Sequence, residues 1–279
     1  MTVLVTGATG NVGRNVLQQL LAEGVSVRAT SRNPASLPSG VDGHAADLTD
    51  PGSFESALVG VDKVFLFPSP QGVHGFVAAA KAAGVRHVVV LSSSSVVGDD
   101  TSNPIARMHV TVEKAVEDSG IAWTFVRPGG FATNTLRWAP AIKDDGGVRL
   151  PYAQGNIASI HEADIAAVAV AALLNDGHEG KAYKLTGPES ISQARQVALI
   201  GEAIGRPLWV EDLVGEEARA ELMTWFGPYG TPEIVETMLG YLKSQVGQAA
   251  EVLTTVEEVT GRPARTFAEW AVDHKADFS

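Results

Sequence analysis

One pattern narrows the fold more than any other. Through its first half the chain switches between short apolar runs rich in β-branched residues and stretches with helical spacing. The runs are TVLVT (2–6), VSVRAT (25–30), DKVFLF (62–67), RHVVVLS (86–92) and AWTFVRP (122–128), and HAAD (44–47) reads as one more short strand. Near-continuous apolar runs of this length suit strands buried on both faces. Helical patterns lie between them, at 12–23, 53–59, 73–83 and 108–119. Gly24, Gly84 and Gly120 follow three of these, and glycine takes the left-handed turn after a helix. Alternation at this pace means βαβ units, right-handed crossovers and a parallel sheet, here of at least six strands. The expected class is α/β, with a doubly wound parallel sheet.

Where the first strand meets the first helix the sequence is TGATGNVG (6–13). Gly7 permits a tight turn, Gly10 lets backbone approach a ligand, and Gly13 lets the helix pack close. Together with Thr9, Asn11 and Val12 they form a turn whose helix N-terminus offers free N–H groups and a positive dipole end to a pyrophosphate. Such a glycine pattern is weak alone and strong in this strand–turn–helix setting, so it predicts dinucleotide binding. The end of the second strand selects the dinucleotide. NAD-preferring sites place a carboxylate there for the ribose hydroxyls. This chain reads ATSRNP (29–34), with Ser31 and Arg32 and no acid before Asp42. Arg32 offers a planar cation for a 2′-phosphate, which favours NADP(H); the alternative is a solvated surface arginine. Asp47 and Leu48 follow the third strand, where an acid can accept from an adenine amino group and a leucine can pack on the ring. Asp50 is the better helix cap nearby. Phe67 and Ser69, in FLFPSP (65–70), line the expected ribose–nicotinamide path at the sheet's carboxyl edge.

After Val148 the pattern loosens. A helix at 164–174, a strand and turn at KAYKLTGP (181–188) and a helix at 191–204 lead into a mostly helical stretch, 209–279, whose Trp209, Trp225 and Trp270 read as mainly core. The chain divides on this reading into a dinucleotide-binding part, 1–150, and a smaller capping part, 151–279. The formal charge of −11 argues against nucleic acid as a partner. The absence of cysteine removes thiolate chemistry and disulfides. A strand that begins at Thr2 leaves no room for a signal peptide, and no apolar run approaches a membrane span. A cytoplasmic location is expected, as a monomer or homodimer without a metal. HEAD (161–164) invites a metal reading, but His161 and Asp164 read better as the start of a helix.

TGATGNVG, ATSRNP, ADL (46–48), a helix with HxxxE (109–113) and GIAWTFVRPGGFATN (120–134) together resemble the NmrA-like group of atypical short-chain dehydrogenase/reductases. IHEADIAAVAVAAL (160–173) and YKLTGPESIS (183–192) also fit it. Within that group the chain is most similar to the NADPH-dependent quinone reductase and triphenylmethane reductase type. The resemblance implies a Rossmann-like domain, a small C-terminal domain and a substrate cleft between them. It also admits members that bind NADP without turnover and act as redox sensors.

Ordinary short-chain reductases use a serine with Tyr-x-x-x-Lys, the tyrosine protonating the carbonyl oxygen. The tyrosines here are Tyr152, Tyr183, Tyr229 and Tyr241, none of them on the relevant helix. Alignment of EDSGIAWT (117–124) with the group puts His109 at the lysine position and Ile105 at the tyrosine position. Helical spacing assigns Ile105, Met108, Val112, Ala115 and Val116 to the core face, His109 to its border with Glu113 beside it, and Lys114 to solvent. His109 is either a weak acid or polar contact in the cleft, or a structural histidine paired with Glu113. Ser92 to Ser95 offer hydroxyls near the nicotinamide, Ser92 foremost, although serines closing a strand are common for local reasons. In PGGFATNTLRW (128–138), Phe131, Asn134 and Trp138 are candidates for the substrate wall, with ordinary packing as the alternative; WFGPY (225–229) is a candidate lid.

The expected function is hydride transfer from NADPH to a quinone or related conjugated carbonyl, acceptors that need little acid catalysis. The partner is then a small aromatic or quinone-like molecule. The alternatives are a non-catalytic NADP(H)-sensing regulator and a dedicated reductase or isomerase of a biosynthetic pathway.

Overall fold

The computed structural model describes residues 1–98, 102–227 and 230–279. In chain order the elements of the first half are β1 (Thr2–Val5), α1 (Asn11–Ala22), β2 (Ser26–Ser31), β3 (Asp42–Ala45), α2 (Glu55–Leu58), β4 (Lys63–Leu66), α3 (Val73–Ala82), β5 (His87–Leu91), α4 (Pro104–Ser119) and β6 (Ala122–Pro128). Next come α5 (Ala139–Asp145), β7 (Gly147–Pro151), β8 (Asn156–Ile157), α6 (Glu162–Leu174), β9 (Lys181–Leu185) and β10 (Ile191–Ser192). The chain closes with α7 (Gln193–Ile204), β11 (Trp209–Leu213), α8 (Gly215–Phe226), α9 (Pro232–Ser244), α10 (Thr255–Thr260), α11 (Phe267–Asp273) and α12 (Lys275–Phe278).

Contacts divide the chain into two units that are each discontinuous in sequence. The first comprises Met1–Pro128, Glu162–Leu185 and Thr255–Arg262; the second comprises Gly129–His161, Thr186–Thr254 and Pro263–Ser279.

The first unit is built on a seven-stranded sheet of order β3-β2-β1-β4-β5-β6-β9. Every pairing in it is parallel, as the alternation requires. Its middle strands are buried on both faces: Val3, Leu4, Phe65, Val88, Val90 and Phe125 are wholly inaccessible. α1 buries Val16, Leu17 and Leu20, α3 buries Phe76 and Ala80, and α4 buries Val112 and Val116. Full burial of each larger aliphatic side chain contributes about 1.5–3 kcal/mol. Gly24, Gly84 and Gly120 take φ of 72°, 84° and 73°, so the helices stop where the sequence reading ends them. Strand order reverses between β1 and β4, which opens a crevice at their carboxyl ends.

The second unit holds two small sheets, β7 with β11 in parallel and β8 with β10 antiparallel. Its core gathers Trp138, Ile142, Leu150, Ile200, Phe267, Trp270 and Phe278. Three readings of the sequence need correction here. β7 and β11 are strands where helical or irregular structure was expected, because each is too short and polar to show a strand period alone. Trp209 belongs to no core: it is 45% exposed, lies over Gly147 across the β7–β11 pair, and donates its indole N–H to the Asp145 carbonyl. α7 begins at Gln193, capped by the Ser192 hydroxyl, which accepts from the Arg195 N–H at 3.1 Å.

Candidate active site

In the first unit the ends of β1 and β4 are pinned together by one side chain. The Thr6 hydroxyl donates to the Phe65 carbonyl (3.1 Å) and accepts from the Phe67 N–H (2.7 Å). The chain then turns through Gly7 at φ 61°, a region that L side chains avoid. The Gly10 N–H donates back to the Gly7 carbonyl at 2.9 Å. A Cβ on Gly13 would lie 2.2 Å from that same carbonyl oxygen, so the close approach that Gly13 permits is to the turn itself. α1 starts with Gly10 as its cap residue, without a side-chain capping bond and without an acid in its first turn. Its N–H groups and positive dipole end are therefore uncompensated by a side chain of its own first turn.

A pocket of about 750 Å³ opens here. Gly7, Thr9 and Gly10 line it from the turn, Ser31 and Arg32 from the end of β2, Asp47 and Leu48 from the segment after β3, and Phe67 and Ser69 from the segment after β4. Asn11, Val12 and Gly13 form the first turn of α1 instead, with Val12 and Gly13 buried. The Asp47 carboxylate accepts from the N–H (2.9 Å) and hydroxyl (2.8 Å) of Thr49. These bonds, with Arg32 as a smaller contributor, hold its pKa below the usual carboxylate range. Asp50 caps the short turn at Pro51–Phe54 by accepting from the Gly52 N–H. The size of this pocket, its uncapped helix end and the glycine cradle fit a dinucleotide, with the pyrophosphate on the turn and a cation at the β2 end.

α4 differs from the helical-wheel reading. Asn103 caps it by accepting from the N–H groups of Ile105 and Ala106. Its buried face is Ala106, His109, Val112, Glu113, Ala115 and Val116. Met108 is 36% exposed, so it is not a core residue, and Lys114 is solvated as expected. The face is turned toward Glu113 because Glu113 has a partner on another element that the helix alone cannot reveal. Arg127 on β6 grips it with two bonds, Nε to Oε1 at 2.8 Å and Nη2 to Oε2 at 2.6 Å. Ser92, at the end of β5, donates its hydroxyl to Oε1 at 2.5 Å. Glu113 is 6% exposed, and its carboxylate raises the pKa of Arg127.

The expected His109–Glu113 pair is accordingly absent, because the carboxylate is spent on Arg127 and Ser92. His109 is 8% exposed, and its Nδ1 has no hydrogen-bond partner among the described residues. Burial lowers its pKa to about 4 against a weaker opposing pull from Glu113. At pH 7 only about one ring in a thousand carries the second proton. As a proton donor it is weak; as a neutral hydrogen-bonding ring it is intact.

The second unit contains a smaller pocket of about 220 Å³. Phe131, Asn134 and Trp138 line it from one short 3-10 stretch, Ala132–Trp138, and the residue that caps it. Trp225 and Phe226 at the end of α8, and Met238, Tyr241 and Leu242 from α9, complete a mainly apolar wall that also holds the Tyr241 phenol. Gln193 and Gln196 on α7 add amides, but the Gln193 NH₂ is bound to the carbonyls of Pro151 and Tyr152 and that of Gln196 to the Ser159 hydroxyl. Of the candidate lid, Trp225 and Phe226 belong to this wall, while Tyr229 lies outside the described residues.

With this geometry in view, comparisons with known proteins decide the family. A family model described as NAD(P)H-binding matches residues 7–176. A "(4-alkanoyl-5-oxo-2,5-dihydrofuran-3-yl)methyl phosphate reductase" of Streptomyces griseus is 43% identical, with 99% of each chain covered. The chain belongs to a family of NAD(P)H-dependent oxidoreductases. An NAD(P)H azoreductase of Xenophilus azovorans is 39% identical over 99% of each chain. Among solved structures, the NADPH complex of a quinone oxidoreductase of Escherichia coli matches with a TM-score of 0.77 and 30% identity, covering 98% of this chain and 99% of that one. The quinone-reductase likeness read from the motifs is therefore sound, and so is the Rossmann-like class.

In this family member some site residues escaped sequence reasoning. Arg127 was the most findable: a guanidinium inside the apolar run AWTFVRP needs a buried acid. Tyr241, Met238 and Leu242 carried no signal, since a helix that lines a small pocket reads like any amphipathic helix. Among the described residues no cluster of metal ligands occurs and no helix is long and apolar enough to cross a membrane.

Proposed function

We propose that this protein is an NADPH-dependent reductase of electron-poor conjugated acceptors, quinone-like or α,β-unsaturated carbonyl compounds, that works without the α4 tyrosine of ordinary short-chain reductases. The state of α4 carries this reading. The helix has no tyrosine, its glutamate is committed to Arg127 and Ser92, and its histidine is buried and neutral. With α4 bordering the reacting atoms, as the family resemblance implies, a simple ketone would accept hydride poorly, because the alkoxide formed needs a proton at once. A quinone or conjugated double bond leaves its charge delocalised as phenolate or enolate, which takes a proton from water.

Gly7, Thr9, Gly10 and the first turn of α1 would hold the pyrophosphate, Ser31 and Arg32 the 2′-phosphate, and Asp47 and Leu48 the adenine. Phe67 and Ser69 would line the ribose–nicotinamide end, and His109 would serve as a neutral polar contact. The bound reduced dinucleotide supplies a hydride. Phe131, Trp138 and Trp225 would hold a flat acceptor in the second pocket and keep water from it, so the protein's contribution is orientation and desolvation. Relatives named for a dihydrofuranone phosphate, an azo compound and a quinone support this, since all three compounds delocalise an added charge.

The test is NADPH oxidation with quinones, an azo dye, an unsaturated lactone and an unconjugated ketone. Turnover is expected on the conjugated acceptors and little on the ketone. NADPH binding with no turnover on any acceptor would favour the sensor reading, and equal rates on the ketone would remove the argument from α4.

A further inference from the structure

The wall of the second unit's pocket carries one charge. Arg137 lines it, and no carboxylate does among the described residues. Its guanidinium lies over the Trp225 ring, 5.1 Å from the centroid, and its Nε donates to the Asn134 carbonyl at 2.7 Å. Those two contacts fix the plane of the guanidinium while leaving both terminal NH₂ groups without an acceptor or ion-pair partner among the described residues. The carboxylate on the neighbouring helix, Glu221, is engaged by the Trp225 indole N–H at 2.9 Å and so holds the stacking ring rather than the cation. A second donor in the same wall is also unmatched. Trp138 is 5% exposed, and its indole N–H is buried with no acceptor among the described residues.

Besides Arg137 the wall offers the Tyr241 hydroxyl and the Asn134 amide, and no second charge among the described residues. The Thr135 hydroxyl is spent on the Ala132 carbonyl at 2.8 Å, and the NH₂ groups of Gln193 and Gln196 are bonded within the protein. The chain as a whole carries a formal charge of −11, which repels anions over distance. A fixed, uncompensated arginine at an aromatic pocket of such a protein is the reverse of that background. Its planar fork matches an oxyanion with two parallel bonds.

We infer that the acceptor taken by this pocket is a flat conjugated compound bearing an oxyanion substituent, a phosphate ester or carboxylate, and that Arg137 selects it. This rests on the reading of the second pocket as the acceptor site. Arg137 is thus a specificity-determining residue: it reads the substituent, while Phe131 and Trp225 hold the ring.

The test compares matched pairs, the azo dye methyl red against its methyl ester and a hydroxymethyl dihydrofuranone against its phosphate monoester. Two readouts are taken on the full-length protein, kcat/KM with NADPH and Kd by calorimetry on protein saturated with NADP⁺. The wild type is expected to prefer the anionic member by about tenfold or more in both readouts. Arg137→Gln should bring that ratio close to one, and Arg137→Lys should keep part of it. Added salt should shrink the wild-type ratio. The carboxylate and phosphate pairs show which oxyanion is favoured. A ratio that is the same in wild type and Arg137→Gln overturns the inference, whether or not turnover occurs. Absence of turnover, with an Arg137-dependent preference retained in Kd, would instead sink the reductase reading and leave this one standing. Arg137→Lys retains the charge but not the planar fork, so a folding failure of the glutamine variant does not decide the outcome.

Discussion

The pocket of the first unit is walled by strand ends that follow one another along the chain: the turn after β1, Arg32 after β2, Asp47 after β3 and Phe67 after β4. The pocket of the second unit is walled by side chains from distant segments, Phe131, Gln193, Trp225 and Tyr241. In the first, backbone shape sets the walls: Gly7 lines it at φ 61°, and Gly13 packs behind that turn with no room for a Cβ. In the second, side-chain volume sets them. A backbone-made wall admits few changes, whereas a side-chain wall changes with each substitution. That difference suits a shared dinucleotide and a variable acceptor, with chemistry placed on a constant scaffold and specificity on adjustable residues.

The comparison can be broken or sharpened by experiment. The largest effect is expected from Glu113→Ala, which leaves the half-buried Arg127 without its partner. It should cost about 3–5 kcal/mol in urea unfolding. A cost below about 1 kcal/mol would mean that the first unit does not depend on its buried pair. Next comes acid. His109 has a pKa of about 4 in the folded state against 6.5 for a free histidine. As pH falls from 6.5 toward 4 the unfolded chain takes the proton first, so stability present above 6.5 is lost through that window, by about 3 kcal/mol for this group. His87 is buried with a pKa also near 4 and adds to the same limb. Unfolding measured at pH 7 and at pH 4.5 should show the loss, and His109→Leu should flatten it. An identical slope in the variant would remove His109 from the account.

Gly13→Val tests the backbone wall directly. Its side chain would meet the Gly7 carbonyl, and NADPH affinity should fall roughly a hundredfold by fluorescence titration. Unchanged affinity would show that the turn is not shaped by that contact. The smallest effects form a crossed pair. Arg32→Ala should lower the preference for NADPH over NADH by about tenfold. Phe131→Ala should raise the acceptor KM by about tenfold without altering that preference. If either variant moves both quantities together, the two pockets are not independent in the way their construction implies.

How legible each pocket was in the sequence follows from the same contrast. TGATGNVG and ATSRNP are local: each is read and built within one short step of the chain, so Gly7, Thr9, Gly10, Ser31 and Arg32 fall together at one crevice, while Asn11, Val12 and Gly13 form the first turn of α1. Phe131, Asn134 and Trp138 fall together for a similar reason, since they lie on one short stretch. Glu113 was placed beside His109 from helical spacing alone, and the pairing failed because a carboxylate is satisfied by the strongest donor in three dimensions. That donor, Arg127, comes from the next strand. Met108 was assigned to the core on the same spacing; the burial of Glu113 and its ion pair rotates the face away from it. Arg137 carried no signal, because what makes it unusual is the absence of an acid around it.

The sequence by itself determined the parallel sheet, the glycine turn and the absence of a tyrosine from α4, since each rests on residues within one or two elements. Only the tertiary structure decided which groups on α4 are free to act, that β7 and β11 pair, and which side chains meet around the second pocket. Periodicity records which way a residue faces along its own helix or strand. Hydrogen bonding and packing are settled against neighbours that the chain brings in from elsewhere.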